Sequence, residues 1–464
     1  MSIDPFSPVP PQIAWAPQGF DTRAHKMVAA DPVFLCDDAQ AFDVGIIGAG
    51  PAGLMAAETL AKRGVRVQVI DGSPSAGRKF LMAGRGGLNI THSEPFDRFV
   101  ARYHGGGYGA EARVAQWLQA FGPEDVRAWC AGLGIETFVG TSGRVFPAEF
   151  KAAPLLRRWL HRLREQGVRF RFRTRWKGWG GDGGLRFEGA APVPSARIWI
   201  FALGGGSWAR LGSDGAWLSW LAERGVEVVP LQASNCGFVV QSPRPDGTLR
   251  IGWSDHLRER FAGQAIKNVA VTVVMADGER WTQKGELLVN ESGLEGGLIY
   301  AASSRLRQQL DGGVPATLWL DLLPAIDSEK MQREVTHPRG ARSWASHFKS
   351  RLGIDGVKMA LLREMLPADA WAHPERVAKA VNALPIPLSA MCPMDQAIST
   401  AGGVAIDALT SALELKALPD HYCVGEMIDW DAPTGGYLLT ACLSSGYWVG
   451  QHLCGRLATL AGHE

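Results

Sequence analysis

Apolar positions are scattered as far as about Gln40 and then fall into a regular alternation of short apolar runs and helical stripes. Phe42 to Ile47 (FDVGII) is apolar, partly β-branched and bounded by glycine, the pattern of a strand covered on both faces of a parallel sheet. After a glycine turn, Leu54 to Arg63 sets Leu, Met, Ala and Leu at helical spacing, and Gly64 stands where a helix stop is expected. Val65 to Ile70 predicts a second strand ending at Asp71, so the pattern opens on a βαβ unit. Gly77 to Thr91 is glycine-rich and cationic without apolar periodicity, and predicts a loop that carries function. Helical patterns follow from about Ala110 to Gly132 and from Ala153 to Gln166. Strands and turns from Val168 to Glu188, with Gly180 to Gly184 as a turn, predict a β-meander, and Ala196 to Leu203 is another buried strand.

Near Asn235 the pattern shifts to strand-like runs between turns, among them Val269 to Met275 and Gly285 to Asn290. From Ser328 to Asn382 charged helical segments dominate, broken by Pro338, Pro367 and Pro374. Glycine-rich strand-like sequence returns at Thr400 to Val404, and a helix is expected from about Gly435 to Leu460. The expected organisation is an α/β protein with an irregular leader (1–40), a nucleotide-binding domain in two parts (41–234 and 396–464), an inserted β-rich substrate domain (235–327) and a helical subdomain (328–395).

Composition narrows the class. A chain of 464 residues with 46% hydrophobic residues can build two or three cores. Lysine and arginine (48) nearly balance aspartate and glutamate (46), which removes a whole-chain polyanion-binding reading. Seven cysteines without a C-x-x-C pair argue against a disulfide scaffold or zinc site and for a reducing cytoplasm. The leader lacks the cationic start and apolar core of a signal peptide, and no run approaches the roughly 20 apolar residues of a membrane span. A soluble cytoplasmic protein is expected, with no metal site, no serine-hydrolase elbow and no signal for oligomeric state.

Gly48-Ala49-Gly50-Pro51-Ala52-Gly53 matches G-x-G-x-x-G between a predicted strand and helix. Its glycines serve the tight turn, the approach of backbone to a pyrophosphate, and helix-on-strand packing, while the helix N-terminus faces the phosphates. Asp71, followed by Gly72, ends the second strand about 20 residues on, where a carboxylate meets ribose hydroxyls. A second glycine segment, Val424 to Asp429 followed by Thr434-Gly435-Gly436-Tyr437, favours FAD over NAD. Gly425 lets backbone approach the ribityl-phosphate region, and Glu426 or Asp429 accepts a hydroxyl. A helix starting near Gly435 points its amides at the flavin pyrimidine edge.

The stretches Gly77 to Thr91, Gly143 to Pro147, Ala202 to Gly205, Thr400 to Val404 and Gly425 to Tyr437, in that order, resemble the BaiN-like, aminoacetone-oxidase-like bacterial FAD flavoproteins. The resemblance runs from Phe42 to about Gly450. It implies a glutathione-reductase-like Rossmann FAD domain in discontinuous segments, an inserted β-rich domain and a small helical domain. It also implies redox chemistry on substrates that include unsaturated small molecules, amines or amino acids, and uridine in ribosomal RNA. By that resemblance Ala202, Leu203 and Gly204 belong to the cofactor site, and the backbone of Trp176 contacts adenine. Amides around Gly84, Gly86 and Gly87 line the isoalloxazine, with Arg78 or Lys79 offsetting pyrophosphate charge. Most relatives carry a cysteine where this chain has Leu88, so a thiol mechanism at that position is excluded here.

Candidates for positioning or protonating a substrate are His92, Glu149, Asn89 and Tyr437. The arginine-rich run from Arg157 to Lys177 reads as a solvated face or as a surface for RNA or another anionic partner. No second dinucleotide fingerprint is present, so NAD(P)H is expected only as a transient donor to the flavin. The leading expectation is hydride transfer between flavin N5 and a small-molecule substrate under the inserted domain. An RNA-acting reductase and a non-catalytic FAD-binding protein are the alternatives.

Overall fold

The computed structural model describes residues 42–83, 87–105, 110–189, 192–244, 246–313 and 316–461. The expected leader, 1–40, and the loop glycines Gly84 and Gly86 lie outside the described residues.

The opening βαβ unit forms as its pattern predicts, with β1 (Phe42–Ile47), α1 (Pro51–Ala61) and β2 (Val67–Ile70). β1 is the centre of a five-stranded parallel sheet in the order His421–Cys423, Ala196–Phe201, β1, β2, Arg169–Arg171. Val44 is in register with Val67 on one side and Ile198 on the other, so the FDVGII run is flanked by paired backbone as well as covered on its faces.

Three sequence expectations are corrected. The stretch from Gly77 to Thr91 is not loop throughout: α2 (Arg78–Ala83) is a short helix, and β3 (Thr91–His92) pairs antiparallel with Arg144–Pro147. The helical pattern from Ala110 to Gly132 is two helices, Ala110–Ala120 and Pro123–Gly132, because Pro123 lacks the N–H that a continuous helix requires. The expected meander divides. Arg169–Arg171 joins the parallel sheet beside β2, while only Arg175–Trp179 and Leu185–Glu188 form a hairpin. Arg173, in the left-handed region at φ 55°, turns the chain between them, and its N–H donates to Ser73 O.

The second sheet is antiparallel. From the edge strand Leu249–Ile251 it runs through Phe238–Pro243, Gly293–Glu295, Arg280–Val289, Ala265–Val274 and Ala316–Asp321 to Leu384–Met391. Leu384–Met391 also pairs with Phe238–Pro243, so six strands close into a ring, and this sheet draws on both the 235–327 and the 328–395 stretches. Its apolar faces form a core separate from that of the parallel sheet, covered by Gly297–Asp311 and by helices between Ser328 and Asn382. A two-stranded ladder of Val228–Ser234 with Ser399–Val404 joins the returning chain to the segment that left the first sheet.

The C-terminal helix Tyr437–Ala461 lies against α1. A Cβ on Gly446 would stand 2.2 Å from Ala52 O, and one on Gly450 would stand 2.6 Å from Thr59 Cβ, so only glycine permits this approach. α1 is buried almost all round, including Glu58. The Glu58 carboxylate accepts from Trp129 Nε1 (3.0 Å), Trp159 Nε1 (2.7 Å) and Arg162 Nη1 (2.9 Å), and pairs with Lys62 at 2.7 Å. Burial pushes this carboxyl up, but the bonds from Lys62, Trp129 and Arg162 outweigh burial and hold it below its ordinary value. The charge therefore staples α1 to the helices Pro123–Gly132 and Ala152–Glu165.

Candidate FAD site

The turn after β1 shows why its three glycines differ. A Cβ on Gly48 would meet Ala202 O at 2.1 Å, and one on Gly53 would meet Gly48 O at 2.1 Å, whereas a Cβ on Gly50 would meet nothing within 4 Å. Gly48 and Gly53 thus serve turn and packing, and Gly50 faces an open cleft of about 170 Å³. α1 starts with Pro51 and no side chain caps it, so its first amides are left for a ligand; Pro51 and Ala52 line the cleft. Gly53 is behind it. Asp71 lines the cleft with Gly72 and accepts from Ala49 N (2.8 Å) and Ser73 N (2.7 Å), leaving lone pairs for hydroxyl donors.

The far wall comes from distant segments. Ala202, Leu203 and Gly204 leave the end of Ala196–Phe201, and Arg78 and Lys79 come from α2. Gly425 and Glu426 close the cleft from the returning chain. Lys79 Nζ lies 2.7 Å from Glu426 Oε2 and donates to Ser207 Oγ at 2.6 Å. Glu426, 6% exposed, also accepts from Gly205 N (3.3 Å) and Thr400 N (3.1 Å). This node joins four segments that are remote in sequence, so Lys79 is held by a carboxylate before any phosphate arrives.

At the opposite end Trp176 packs against Trp179, Phe201 and Trp220, with ring centroids 5.0, 4.8 and 5.1 Å away. Its Nε1 is buried without a partner among the described residues. Ser73, Ser213, Asp214, Trp217 and Trp220 also line the cleft and were missed in the sequence. The turn Gly212-Ser213-Asp214-Gly215 was the available sign; Gly212 sits against Ser73, and Asp214 pairs with Arg175 at 3.0 Å. Cys442 lines the cleft as well, but burial pushes its thiol up to about 12, so no thiolate stands there at neutral pH. Leu88 is buried in the first core.

Other expected residues lie outside this cleft. Gly87 sits against Phe150 and Phe146. Asp429 is half-buried and its N–H donates to Val404 O. Gly435 and Gly436 precede the C-terminal helix, with Gly436 against the backbone of Thr91. Of the four candidates for substrate chemistry, Glu149 is exposed in the turn after Arg144–Pro147, next to Phe150, whose carbonyl accepts from Leu88 N. His92 stacks on Tyr437 at 5.3 Å. His92 Nδ1 accepts from Glu94 N (3.1 Å), so Nε2 carries the proton and donates to Ser142 O (3.0 Å). Burial, assisted by Arg102 and Arg144, keeps this imidazole below its ordinary pKa. Tyr437 donates to Glu94 Oε1 at 2.5 Å, and burial together with that carboxylate pushes the phenol well above its usual range. Asn89 donates from Nδ2 to Thr91 O (2.8 Å) and Val145 O (3.0 Å), while its Oδ1 is buried without a partner among the described residues.

Several arginines of the 157–177 run are spent internally. Arg158 bonds the carbonyls of Leu133 and Gly134, Arg162 bonds Glu58, and Arg171 bonds Pro192 O. Of that run's arginines only Arg175 lines the cleft.

The open turn, the uncapped helix start and the orphaned polar atoms fit a dinucleotide. The HI0933-like protein Rossmann domain family matches residues 42–452. The chain belongs to that family. Its members are FAD-binding oxidoreductases, and this chain is an enzyme of that kind. A family relative by sequence, the ribosomal RNA dihydrouridine synthase of Escherichia coli K12, is 24% identical over 425 residues, covering 89% of this chain and 98% of that protein. The 3-ketosteroid-Δ4-(5α)-dehydrogenase of Rhodococcus jostii RHA1 aligns at 15% identity over 92% of this chain and 98% of that one, with a TM-score of 0.43. The 3-ketosteroid Δ1-dehydrogenase of Sterolibacterium denitrificans aligns at 14% identity over 90% and 100%, with a TM-score of 0.45. Among the described residues no helix is long and apolar enough to cross a membrane.

Proposed function

We propose that this enzyme uses FAD to transfer a hydride to or from a small-molecule substrate admitted beneath the antiparallel-sheet module, with NAD(P)H as a transient donor. The observation that carries the reading is the convergence of the uncapped α1 start, Asp71 and the Lys79–Glu426 node on one cleft. When bound, the flavin supplies the hydride chemistry at N5. The α1 amides bind pyrophosphate and Asp71 binds ribose, while Trp176 and Trp220 wall the adenine end. Gly425 and Glu426 hold the ribityl region, and Gly435, Gly436 and Tyr437 bring the C-terminal helix start to the flavin. His92 and Tyr437 act by position: the imidazole is neutral and the phenol proton is committed to Glu94.

The test is anaerobic reduction of the purified yellow protein by NADH and by NADPH, followed by admission of air, read in flavin absorbance. Fast bleaching and slow reoxidation support a nicotinamide-fed reductase. Absence of bleaching by either nucleotide removes NAD(P)H from the reading, and a protein that binds no FAD removes the reading altogether.

A second reading, reduction of uridine in RNA, rests on the near end-to-end match to the Escherichia coli relative and on exposed Arg157, Arg169 and Arg173. Dihydrouridine missing from ribosomal RNA after deletion of the gene, and restored by the gene, supports it; unchanged dihydrouridine refutes it.

A further inference from the structure

Two polar groups without a side-chain partner among the described residues lie by the turn that opens the C-terminal helix, Arg144 against Gly435 and Asn89 through Thr91, and neither lines the cleft just described. The first is the guanidinium of Arg144. Arg144 is the cross-strand partner of His92, and its Nε lies 3.7 Å from where a Cβ on Gly435 would stand. It is half-buried, and among the described residues it has neither an ion pair nor a side-chain hydrogen bond. Glu94, two residues beyond that cross-strand partner, is already taken by Arg102 (2.8 Å) and Tyr437. The second group is Asn89 Oδ1. The two bonds donated by Nδ2, to Thr91 O and to Val145 O beside Arg144, fix the amide's orientation, so the orphaned oxygen is a definite acceptor rather than an ambiguous flip.

Leaving a buried acceptor unsatisfied is destabilising, and a half-buried cation without a counter-charge adds to that. Such a pair stands ready for a ligand edge that offers one N–H donor beside a carbonyl gaining negative charge. The pyrimidine edge of a flavin has that pattern: N3–H between C2=O and C4=O, with charge arriving at N1–C2=O on reduction. Gly435 and Gly436, at φ 120° and 94°, deliver the start of the 25-residue helix to the same place, which adds its positive end.

We infer that Asn89 accepts from flavin N3–H and that Arg144 supplies the positive charge beside N1–C2=O that favours the reduced ring. This rests on the FAD reading. Arg144 sits in the Gly143 to Pro147 stretch, which the family resemblance marks without giving it a task.

The test uses the holoenzyme and the variants Arg144→Met, Arg144→Lys and Asn89→Leu. FAD content and FAD affinity are measured first, then the dissociation constant of the sulfite adduct at flavin N5 and the midpoint potential. The adduct places negative charge on N1–C2=O without any substrate, so it reads the local field alone. Arg144→Met is expected to weaken sulfite binding at least tenfold and to lower the two-electron potential by about 30 mV per tenfold. Arg144→Lys, which keeps the charge, should recover a substantial part of both, and Asn89→Leu should weaken FAD binding about tenfold. FAD-loaded Arg144→Met with unchanged sulfite affinity and potential overturns the inference, as does equal loss in the Met and Lys variants. A wild-type protein that binds no FAD overturns the cofactor reading itself, which separates the two failures.

Discussion

Lys79→Met should destabilise the nucleotide-binding unit by about 2–3 kcal/mol, and adding Glu426→Gln to it should cost almost nothing further. Glu426 is 6% exposed and Lys79's side chain 27%, so the carboxylate is close to fully desolvated while water reaches its partner. Breaking a buried ion pair by deleting one member costs about 3–5 kcal/mol, because the other charge is left uncompensated. Two things lower that figure here: Gly205 N and Thr400 N still donate to Glu426, and the lysine end is partly wet. The lost Lys79 to Ser207 bond adds about 1 kcal/mol. Glu426→Gln keeps the shape and the Thr400 bond but turns an amide donor toward other donors, so alone it costs about 2 kcal/mol. With both changes the buried charge is gone, and the coupling in the double-mutant cycle should be about 2 kcal/mol. Urea unfolding of the four apo-proteins at pH 7, followed by tryptophan fluorescence, measures it. A coupling below about 0.5 kcal/mol would show that the pair is a surface ion pair in energetic terms and would refute the node as the element that joins the walls of the cleft.

Glu58→Ala should cost about 4 kcal/mol, since it orphans two indole N–H groups and the Arg162 pairing in one step. Because the folded state holds this carboxyl below its ordinary value, its contribution is full above about pH 4.5 and is lost as pH falls through the folded value. Wild type should therefore lose stability faster than Glu58→Ala on acidification below that point, and parallel acid-unfolding curves would contradict the staple. Gly446→Val must displace Ala52 O from 2.2 Å; a loss of about 3 kcal/mol and at least tenfold weaker FAD binding are expected, because Ala52 lines the cleft. The control Gly455→Ala, with nothing within 4 Å, should be neutral or slightly stabilising, and equal effects at both sites would sink the close-approach explanation.

Much of the site was legible because its signs are local. A strand, three spaced glycines, a helix and Asp71 fall within about 30 residues, and the fold places Gly48, Gly50 and Asp71 on one cleft with Gly53 packed behind it. The long C-terminal helix was legible for the same reason. Glu58 was not. In a helix such as α1 a glutamate beside a lysine reads as surface, and only the arrival of Trp129, Trp159 and Arg162 from two later helices makes it the most buried charge on that helix. Ser213, Asp214 and Trp217 carry no periodic pattern and gain meaning only once their turn folds over Ser73. The arginine run is the converse case: a conspicuous pattern in sequence, of which Arg158, Arg162 and Arg171 are taken up by carbonyls and by Glu58.

By itself, then, the sequence determined the class of cofactor fold and the segments that build it, because backbone turns, helix starts and buried strands are written in neighbouring residues. The tertiary structure decided which charges are paired and which stand free. Lys79 finds Glu426 across 347 positions and Tyr437 finds Glu94 across 343, while among the described residues Arg144 has neither an ion pair nor a side-chain hydrogen bond. The reason is physical: a charge's energy depends on its desolvation and on what lies within a few ångströms, and both are set by segments that meet only when the chain has folded.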